Sequence, residues 1–382
     1  MYTEVVTETK HFEVLREEWN TLLERSHQKS IFLTWEWLYY SWIHFKNGNQ
    51  LFILLIRNKE KGELIGIAPF CIQKINLFQI APLKMLKFLG TEKVASDFLD
   101  FIIYPGEEHS TLMAIFEYLY KNQPIWDAIE LGEIDKDSNS LGWIKRNVIK
   151  KYQLAEQRAH ICPYIKLPES YELLQKSLST NMRNNLKRRT KQIEAKREVK
   201  FFITKQKEEV KENIDSLFDL HNKRFEDKYK AKKMQSSFNG VQIKKFHYDV
   251  ANEFLLNDYL RLYSLELENR AIALLYAFKY KDRLYYYQSG IDPAWGNFGL
   301  GTVLFGYCMN NSIDQGLREF NFLRGNEEYK YRWTKAYKET VNIYITPMTP
   351  TGIILYSYIR IKGIMKRILK RNRYGQRNHS DL

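Results

Sequence analysis

The sequence predicts an α/β protein of two similar halves, each a mixed, largely antiparallel sheet flanked by helices. One observation is a repeated order of elements, since an apolar hairpin, a strand, a helix and a further strand occur at 51–131 and again at 258–323. Another is the helical periodicity of apolar residues in the segments between strands. A third is composition, because 382 residues with 44% hydrophobic content can bury more than one core.

The elements of the first half follow from apolar spacing and turn residues. Thr34 is a favourable N-cap for a helix that starts at Trp35, and Pro105-Gly106 ends a strand. In chain order we predict helices at 11–25 and 35–45, strands at 51–56, 64–72, 86–89 and 98–104, a helix at 107–122, a strand at 126–131, a helix at 138–150 and a strand at 153–167.

The second half begins with a strongly basic helix, which Ser179 or Thr180 would cap, and then repeats the order of the first half. Its turn at Asp292-Pro293 corresponds to Pro105-Gly106. We predict helices at 181–197, 208–227 and 239–256, strands at 258–268, 271–280 and 284–289, a helix at 302–314, a strand at 319–323 and a helix that opens at 327. The expected domains are 1–167, 168–350 and a basic tail at 351–382.

The net charge of +14 is concentrated in two segments. Residues 352–382 hold eight Lys or Arg and one Asp, and residues 181–200 hold eight basic and two acidic residues. These segments therefore carry net charges of +7 and +6, and the remainder is nearly neutral. General nucleic-acid affinity is a poor expectation for such a distribution.

Cysteine content and hydropathy favour a cytoplasmic protein. Cys71, Cys162 and Cys308 are odd in number, widely separated and without a CxxC pair, so they predict neither disulfides nor a zinc site. The N-terminal stretch MYTEVVTETK is polar, unlike a secretory signal. No apolar run approaches the ~20 residues of a membrane span.

A glycine-rich turn, G-x-x-G-x-G from Gly296 to Gly301, lies between the strand at 284–289 and the helix at 302–314. Glycines let backbone N–H groups approach an anion, and a helix N-terminus adds partial positive charge. On spacing alone, a tight loop is an equally good interpretation. The first half has YPGEEHS at the corresponding place, where Glu107 and Glu108 would repel a phosphate, so we expect one half alone to bind a cofactor.

An antiparallel meander followed by this turn resembles the GNAT acyltransferase fold, in which the turn holds the pyrophosphate of acetyl-CoA. The stretch FNFLRGNEEYKYRW at 320–333 is similar to the CelD-like branch of that superfamily, which is associated with bacterial cellulose and exopolysaccharide synthesis. That branch is related to the FemABX transferases, which have a double GNAT fold. The resemblance implies two GNAT-like halves and an acyl-CoA-dependent N-acetyltransferase that acts on an amine of a small or sugar-like cell-envelope acceptor.

The resemblance also assigns a cofactor site and catalytic residues. Tyr329 would protonate the leaving thiolate, and Glu328 is a second catalytic candidate, although Glu328 and Arg332 could equally form a surface pair. The residues expected to bind acetyl-CoA, or another acyl-CoA, without a metal are Gln288, Ser289, Gly290, Gly296, Gly299, Leu300, Gly301 and Thr302. The family pattern has Gln or Arg at position 296 and often Asp at 321 and 326, where this chain has Gly and Asn.

The acceptor is expected to meet charged and aromatic side chains in both halves. Asp97 and Asp100, in the stretch SDFLD, would recognise an amino or hydroxyl group, or simply cap the entry to a strand. The basic helix would contribute to an anion site, or be a solvated linker. The full set of expected substrate-binding residues is Asp97, Asp100, Arg183, Lys187, Arg324, Lys330 and Trp333.

The tail is an amphipathic basic helix. Its expected apolar face consists of Ile354, Tyr358, Ile361, Met365 and Ile368, with Lys and Arg on the other side. Such a helix suits an anionic membrane surface at the inner face of the cytoplasmic membrane, and docking on the protein itself is the alternative.

Two other functions stay open at this point. A Fem-like aminoacyl transferase would take its acyl group from aminoacyl-tRNA, which the positive charge permits. A non-catalytic, membrane-associated factor in polysaccharide synthesis would retain the fold without the reaction. Binding of acetyl-CoA or of aminoacyl-tRNA separates the two enzymes.

Overall fold

The computed structural model describes residues 1–77, 81–90, 93–196, 198–229, 238 and 240–377. The chain forms two compact units. Unit 1 comprises 1–28, 46–160 and 339–382, and unit 2 comprises 29–45 and 161–338. The predicted domain ranges differ from these units, because the helix at 35–45 belongs to unit 2 and the last 44 residues return to unit 1. The order of elements in the sequence does not predict that either segment belongs to the other unit.

Unit 1 is a mixed sheet with helices packed on it. Its strands are β1 (Tyr2–Val6), β2 (Gln50–Arg57), β3 (Leu64–Leu77), β4 (Ala81–Phe88), β5 (Ile102–Ile103), β6 (Ala128–Asp135), the first part of β7 (Tyr152–Lys166) and most of β13 (Tyr337–Pro347). Its helices are α1 (Thr9–Val14), α2 (Arg16–Arg25), α4 (Glu108–Lys121), α5 (Asn139–Asn147) and α12 (Pro350–Arg377). The strand order is β1-β2-β3-β4-β6-β13-β7, with β5 beside β3. The β4–β6 pair is parallel, whereas β1–β2, β2–β3, β3–β4, β3–β5 and β6–β13 are antiparallel.

Unit 2 has the same kind of sheet. Its strands are the end of β7, β8 (Val199–Ile203), β9 (Leu260–Leu267), β10 (Arg270–Tyr280), β11 (Arg283–Ile291) and β12 (Glu319–Asn321), in the order β7-β12-β11-β10-β9-β8. Its helices are α3 (Trp35–Phe45), α6 (Tyr171–Ser177), α7 (Thr180–Glu194), α8 (Lys207–Tyr229), α9 (Val241–Leu256), α10 (Leu300–Asp314) and α11 (Glu328–Tyr331). The β11–β12 pair is parallel, and the pairs β7–β12, β10–β11, β9–β10 and β8–β9 are antiparallel. The predicted fold class is confirmed.

One strand of the predicted repeat is wrong. The counterpart of β11 is β4, because each pairs antiparallel with the second strand of a hairpin and parallel with the strand after the following helix. The predicted strand at 98–104 retains only Ile102–Ile103. Phe98 has a φ of 57°, and the Phe101 N–H donates to the Asp100 carboxylate, so the chain before residue 102 is a turn.

Several element boundaries also differ from the prediction. The first helix breaks at Leu15, and the segment 293–298 is a 3₁₀ helix instead of an open loop. The elements β1, α6, β8 and β13 are not predicted from the sequence. The helix that opens near 327 is only four residues long. The basic helix α7 ends at Glu194, and its predicted last residue, Arg197, lies outside the described residues.

The three consecutive tyrosines of β11 show which helices cover each face of the sheet in unit 2. Tyr286 belongs to the core formed with α6, α7 and α10. Tyr285 and Tyr287 point to the opposite face, where their rings lie near Phe32 and beside the start of α3. The prediction that these tyrosines occupy both faces is confirmed. Among the described residues, no helix is both long and apolar enough to cross a membrane.

Candidate active site

The two parallel strands of unit 2 part just before the predicted cofactor-binding residues Gln288, Ser289 and Gly290. β11 and β12 pair at three positions, the last of which joins Tyr285 and Asn321. β12 ends there, whereas β11 continues to Ile291. The register with β10 then skips one residue of β11, so Tyr287 forms a bulge. A bulged strand beside a parting pair of strands leaves backbone groups available to a ligand.

Asn321 ends β12 through its own side chain. Its Oδ1 accepts the N–H of Leu323 at 2.9 Å, and Leu323 adopts a φ of 53° that turns the chain away from β11. Its Nδ2 donates to Glu319 at 2.9 Å. A carboxylate at position 321 could not donate this second hydrogen bond. The Asn that replaces the family's Asp at this position therefore gains a bond to Glu319.

A chain of hydroxyl groups lies at the parting strands. The Tyr329 hydroxyl of α11 lies 3.5 Å from that of Tyr286, which in turn lies 2.7 Å from Ser289 Oγ. Burial, followed by the neighbouring Tyr286 hydroxyl, raises the pKa of Tyr329 well above its ordinary value. Burial also raises the pKa of Tyr286. Both hydroxyls therefore keep their protons at neutral pH, and Tyr329 can act as a proton donor.

Aromatic rings enclose this chain of hydroxyls. Phe305 of α10 lies with its ring centroid 4.9 Å from Tyr286 and 5.9 Å from Tyr329. Phe322 lies 5.5 Å and Trp333 6.1 Å from Phe305. The cluster keeps water from the hydroxyls, which is why their pKa values rise.

Glu328 differs from its neighbour Tyr329 in being exposed at the first residue of α11. The structure therefore leaves Glu328 in contact with solvent, whereas Tyr329 is half-buried against the core of unit 2.

The glycine turn is assembled at the start of α10. Asp292 Oδ1 accepts the Ala294 N–H at 3.0 Å and caps the 3₁₀ helix Pro293–Phe298. Gly299 follows with a φ of 64°, a conformation that glycine adopts readily, and is the N-cap of α10. The first N–H groups of α10, including those of Leu300 and Gly301, have no acceptor within the helix. The structure brings these predicted cofactor residues together as an anion site would require.

Arg189 of α7 covers this turn, and sequence reasoning missed it. Its side chain donates to the Asn297 carbonyl, and its Nε would lie 3.1 Å from a Cβ placed on Gly299. The predicted cations of α7, Arg183 and Lys187, are respectively half-buried and exposed on the same helix. Arg189 lies in the same basic run, but only the crossing of α7 over the start of α10 distinguishes it.

The remaining cofactor candidates lie along β11 and the first turn of α10. Gln288 Oε1 accepts the Ser289 N–H at 3.0 Å, and the Thr302 N–H donates to Gly299 O at 2.9 Å. Gly290 lies under α8, where a Cβ would come within 2.7 Å of Leu220 Cβ. Gly296 is open, with no atom within 4 Å of such a Cβ.

Lys330 is 3% exposed and its ammonium group is already bonded within its own loop. Nζ donates to Arg324 O at 2.7 Å and pairs with Glu327 at 3.0 Å. Gly325 between them has a φ of 130°. In this structure Lys330 therefore holds together the loop between β12 and α11, and the half-buried Arg324 supplies one of the carbonyls that it binds.

A cleft of about 900 Å³ opens beside the aromatic cluster, with Trp333 in its lining. The end of β7, the N-terminal turn of α7 and residues 331–335 form its walls. Lys166, Arg332 and Lys335 line it, and among the described residues no carboxylate does. Such a cleft favours an anionic group.

Asp97 and Asp100 belong to unit 1 and are both buried. Asp100 accepts hydrogen bonds from Ser138 Oγ at 2.5 Å and the Phe101 N–H at 2.8 Å. Burial raises the pKa of Asp100. These contacts anchor the SDFLD turn to the start of α5, as the strand-entry interpretation of these residues would require.

The fold and the site together indicate the class of protein to which this chain is similar. Two α/β units, one of which has a parting parallel strand pair, a bulge and a glycine turn at a helix start, agree with the expected pair of GNAT-like halves. Residues 180–331 match the family model described as "Acetyltransferase (GNAT) domain". This part of the chain therefore carries a GNAT-type domain, which indicates a transferase.

Solved structures support the same fold over nearly the whole chain. The structure titled "Crystal structure of FemX" is similar with a TM-score of 0.64 and 10% identity, over 94% of this chain and 100% of FemX. A conserved protein of unknown function from Bacteroides thetaiotaomicron VPI-5482 has a TM-score of 0.55 and 11% identity, over 86% of this chain and 97% of that one. No curated protein matches the chain in sequence. At these identities the likeness concerns the fold alone.

Proposed function

We propose that the chain is an acyl-CoA-dependent N-acyltransferase that acts on an amine of a small or sugar-like cell-envelope acceptor. The observation that carries the proposal is the arrangement around the parting strands. The Tyr329 hydroxyl lies 3.5 Å from Tyr286 beside the bulge at Tyr287, and the glycine turn of α10 follows the same strand. Acyl-CoA would place its phosphates at Leu300 and Gly301, with Arg189 as an additional cation.

The chemistry needs few side chains. The amine nitrogen bonds to the thioester carbonyl carbon, the C–S bond breaks, and the amine loses one proton while the sulfur gains one. Positioning and backbone N–H donors at the bulge account for most of the acceleration. Tyr329, whose hydroxyl carries its proton at neutral pH and lies beside Tyr286, supplies the proton to sulfur. Exposed Glu328 is the candidate that accepts the proton of the amine.

The test of the cofactor site is calorimetric binding of acetyl-CoA by Gly301→Asp and Gly301→Ala. A Cβ at Gly301 meets only Ile291 Cδ1, at 3.0 Å, so the contact made by the Cβ is the same in both variants and they differ in the carboxylate of Asp. Gly301→Asp adds a negative charge where the phosphates would bind and should lose at least about tenfold in affinity. Gly301→Ala should bind nearly as the wild type does. Equal affinities for the two variants would move the cofactor site away from α10.

The test of the proton donor is turnover by Tyr329→Phe. This variant keeps the ring against Phe305 and removes the hydroxyl. We expect kcat to fall about 10²- to 10⁴-fold, as for loss of a general acid, with acetyl-CoA affinity unchanged. Wild-type kcat would exclude Tyr329 as the donor.

A second candidate is a Fem-like aminoacyl transferase, in which aminoacyl-tRNA supplies the acyl group. The cleft at Trp333 supports it, because its three cations and lack of carboxylates among the described residues suit a nucleic-acid phosphate backbone. The likeness to FemX is in fold alone. Binding of aminoacyl-tRNA without acetyl-CoA binding would favour this candidate, and binding of neither donor would favour a non-catalytic role in polysaccharide synthesis.

A further inference from the structure

Helix α12 has one face docked on unit 1. Leu355 and Ile359 are buried against β4, β6 and β7, in a cluster with Leu83, Met85, Ala128 and Ala155. Gln157 Nε2 donates to the Ile359 carbonyl at 2.8 Å. A Cβ on Gly352 would lie 2.1 Å from Pro347 O, so this residue allows the helix to start close to β13. The helix is therefore fixed to the protein by this face.

The other face of α12 exposes large apolar side chains. These are Ile353 (46% exposed), Ile354 (59%), Ile361 (56%), Ile364 (52%) and Met365 (52%). At about 100° per residue, they fall within an arc of about 120°, and the middle of that arc lies opposite Leu355 and Ile359. Of the predicted stripe, Ile354, Ile361 and Met365 are on this face, Tyr358 packs partly on unit 1, and the Ile368 side chain lies outside the described residues.

Cations border this exposed face. By the same angular count, Arg360 lies at one edge of the arc and Lys362 beyond the other. The sequence from 340 to 380 contains eight Lys or Arg and no Asp or Glu. A second copy of the chain on this face would bring two such cationic helices together, which is unfavourable. An anionic lipid surface complements both the charge and the apolar stripe.

We propose that α12 attaches the protein to an anionic membrane surface. The helix lies in the plane of the interface, its exposed stripe enters the boundary between headgroups and acyl chains, and its cations meet the lipid phosphates. The face of α12 that points away from unit 1 thereby holds unit 1 at the membrane. The proposal is independent of the acyl-transfer function proposed for unit 2.

The experiment is sedimentation of the full chain with vesicles of phosphatidylcholine alone and of phosphatidylcholine with phosphatidylglycerol. The test variant is Ile354→Gln, Ile361→Gln and Met365→Gln together. The matched control is Val14→Gln, Val241→Gln and Leu256→Gln, which removes three side chains that are 77%, 72% and 70% exposed on other helix positions. Because all six positions are exposed, both variants should retain the wild-type melting temperature.

We expect the wild type and the control to sediment with the phosphatidylglycerol vesicles and to release only partly at high salt, since salt screens charges and not apolar contact. The test variant should partition at least about tenfold less. The double variant Arg360→Gln and Lys362→Gln should sediment less with anionic vesicles at low salt. Equal sedimentation of the test variant and the control would overturn the proposal. A wild type that is dimeric in sedimentation equilibrium, with a monomeric test variant, would overturn it as well, because a second copy would then cover the stripe.

Discussion

His247 of α9 is fully buried among aromatic rings in unit 2. The ring centroids of Phe238, Phe246, Tyr276 and Tyr287 lie 5.0 to 5.5 Å from its own. In the described part of the chain, neither ring nitrogen has a hydrogen-bond partner. Burial lowers the pKa of His247 to about 3. The imidazole is therefore neutral in the folded protein. Burial of its two unbonded nitrogens costs solvation free energy, which burial of a hydrocarbon ring would not.

This histidine should make folding stability depend on pH. An unfolded histidine gains a proton near pH 6.5, whereas His247 in the folded protein gains one only near pH 3. The free energy of unfolding therefore falls as the pH is lowered across this window, by up to about 1.4 kcal/mol per pH unit. Relative to the wild type, His247→Phe should gain about 2–3 kcal/mol between pH 7.5 and pH 4.5 in urea unfolding. Parallel pH profiles for the two proteins would show that His247 is solvated or paired.

Helix α8 packs directly on Gly290 of β11 in unit 2. A Cβ there would lie 2.7 Å from Leu220 Cβ and 2.9 Å from the Leu217 carbonyl oxygen. The second of these atoms belongs to the helix backbone, which cannot move aside as a flexible side chain would. The sequence assigns Gly290 to the cofactor, and its close contact with α8 gives it a packing role as well.

We expect Gly290→Ala to reduce the free energy of unfolding by about 1–3 kcal/mol, as overpacking does. Gly296→Ala is the control, since no atom lies within 4 Å of its Cβ and surface changes of this kind stay within about 0.5 kcal/mol. Urea unfolding of both variants is the measurement. Similar free energies of unfolding for the two variants would indicate that α8 shifts to accommodate a side chain at Gly290.

Elements with strong local signals were predictable, and those defined by distant partners were not. The hairpins β2–β3 and β9–β10 follow from apolar runs separated by turn residues, so the sequence predicts both. The apolar residues of 98–104 suggest a strand equally well. Only the parallel pairing of β4 with β6 shows that the sheet position is already filled. Local periodicity contains no information on such a pairing.

The same limit applies to the candidate site. The glycines at 299 and 301 and the tyrosine at 329 are predicted from a local motif, and the structure places them around one parting strand pair. Arg189 joins them through the crossing of two helices that are about 100 residues apart in sequence. Lys330 also belongs to a predicted motif. Its burial and its hydrogen bonds to two backbone carbonyls depend on the folded loop, so the sequence does not predict them.

At the scale of the whole molecule, the chain passes between the two units four times. Each sheet continues past its parallel pair with an antiparallel strand, β13 beside β6 in unit 1 and the end of β7 beside β12 in unit 2. β13 follows all of unit 2 in sequence and still belongs largely to unit 1. Unit 1 is therefore complete only when the last 44 residues are present.

A chain that ends at Pro350 should consequently lose stability in unit 1. It lacks Leu355 and Ile359, which cover Leu83 and Met85 of β4 and Ala128 of β6. In the full-length chain, the double variant Leu355→Ala and Ile359→Ala should lose about 4 kcal/mol or more, since burial of each such side chain is worth about 2–5 kcal/mol. Truncation should cost at least as much.

Limited proteolysis with mass spectrometry distinguishes the units in both variants. We expect early cleavage within 46–160 and continued protection of 161–338, because unit 2 has a separate core built on α7 and α10. Acetyl-CoA binding, where the wild type shows it, should persist in the truncated chain. Wild-type protection of 46–160 after truncation would mean that the docked face of α12 contributes little, and equal early cleavage of both units would mean that unit 2 depends on the tail for its own stability.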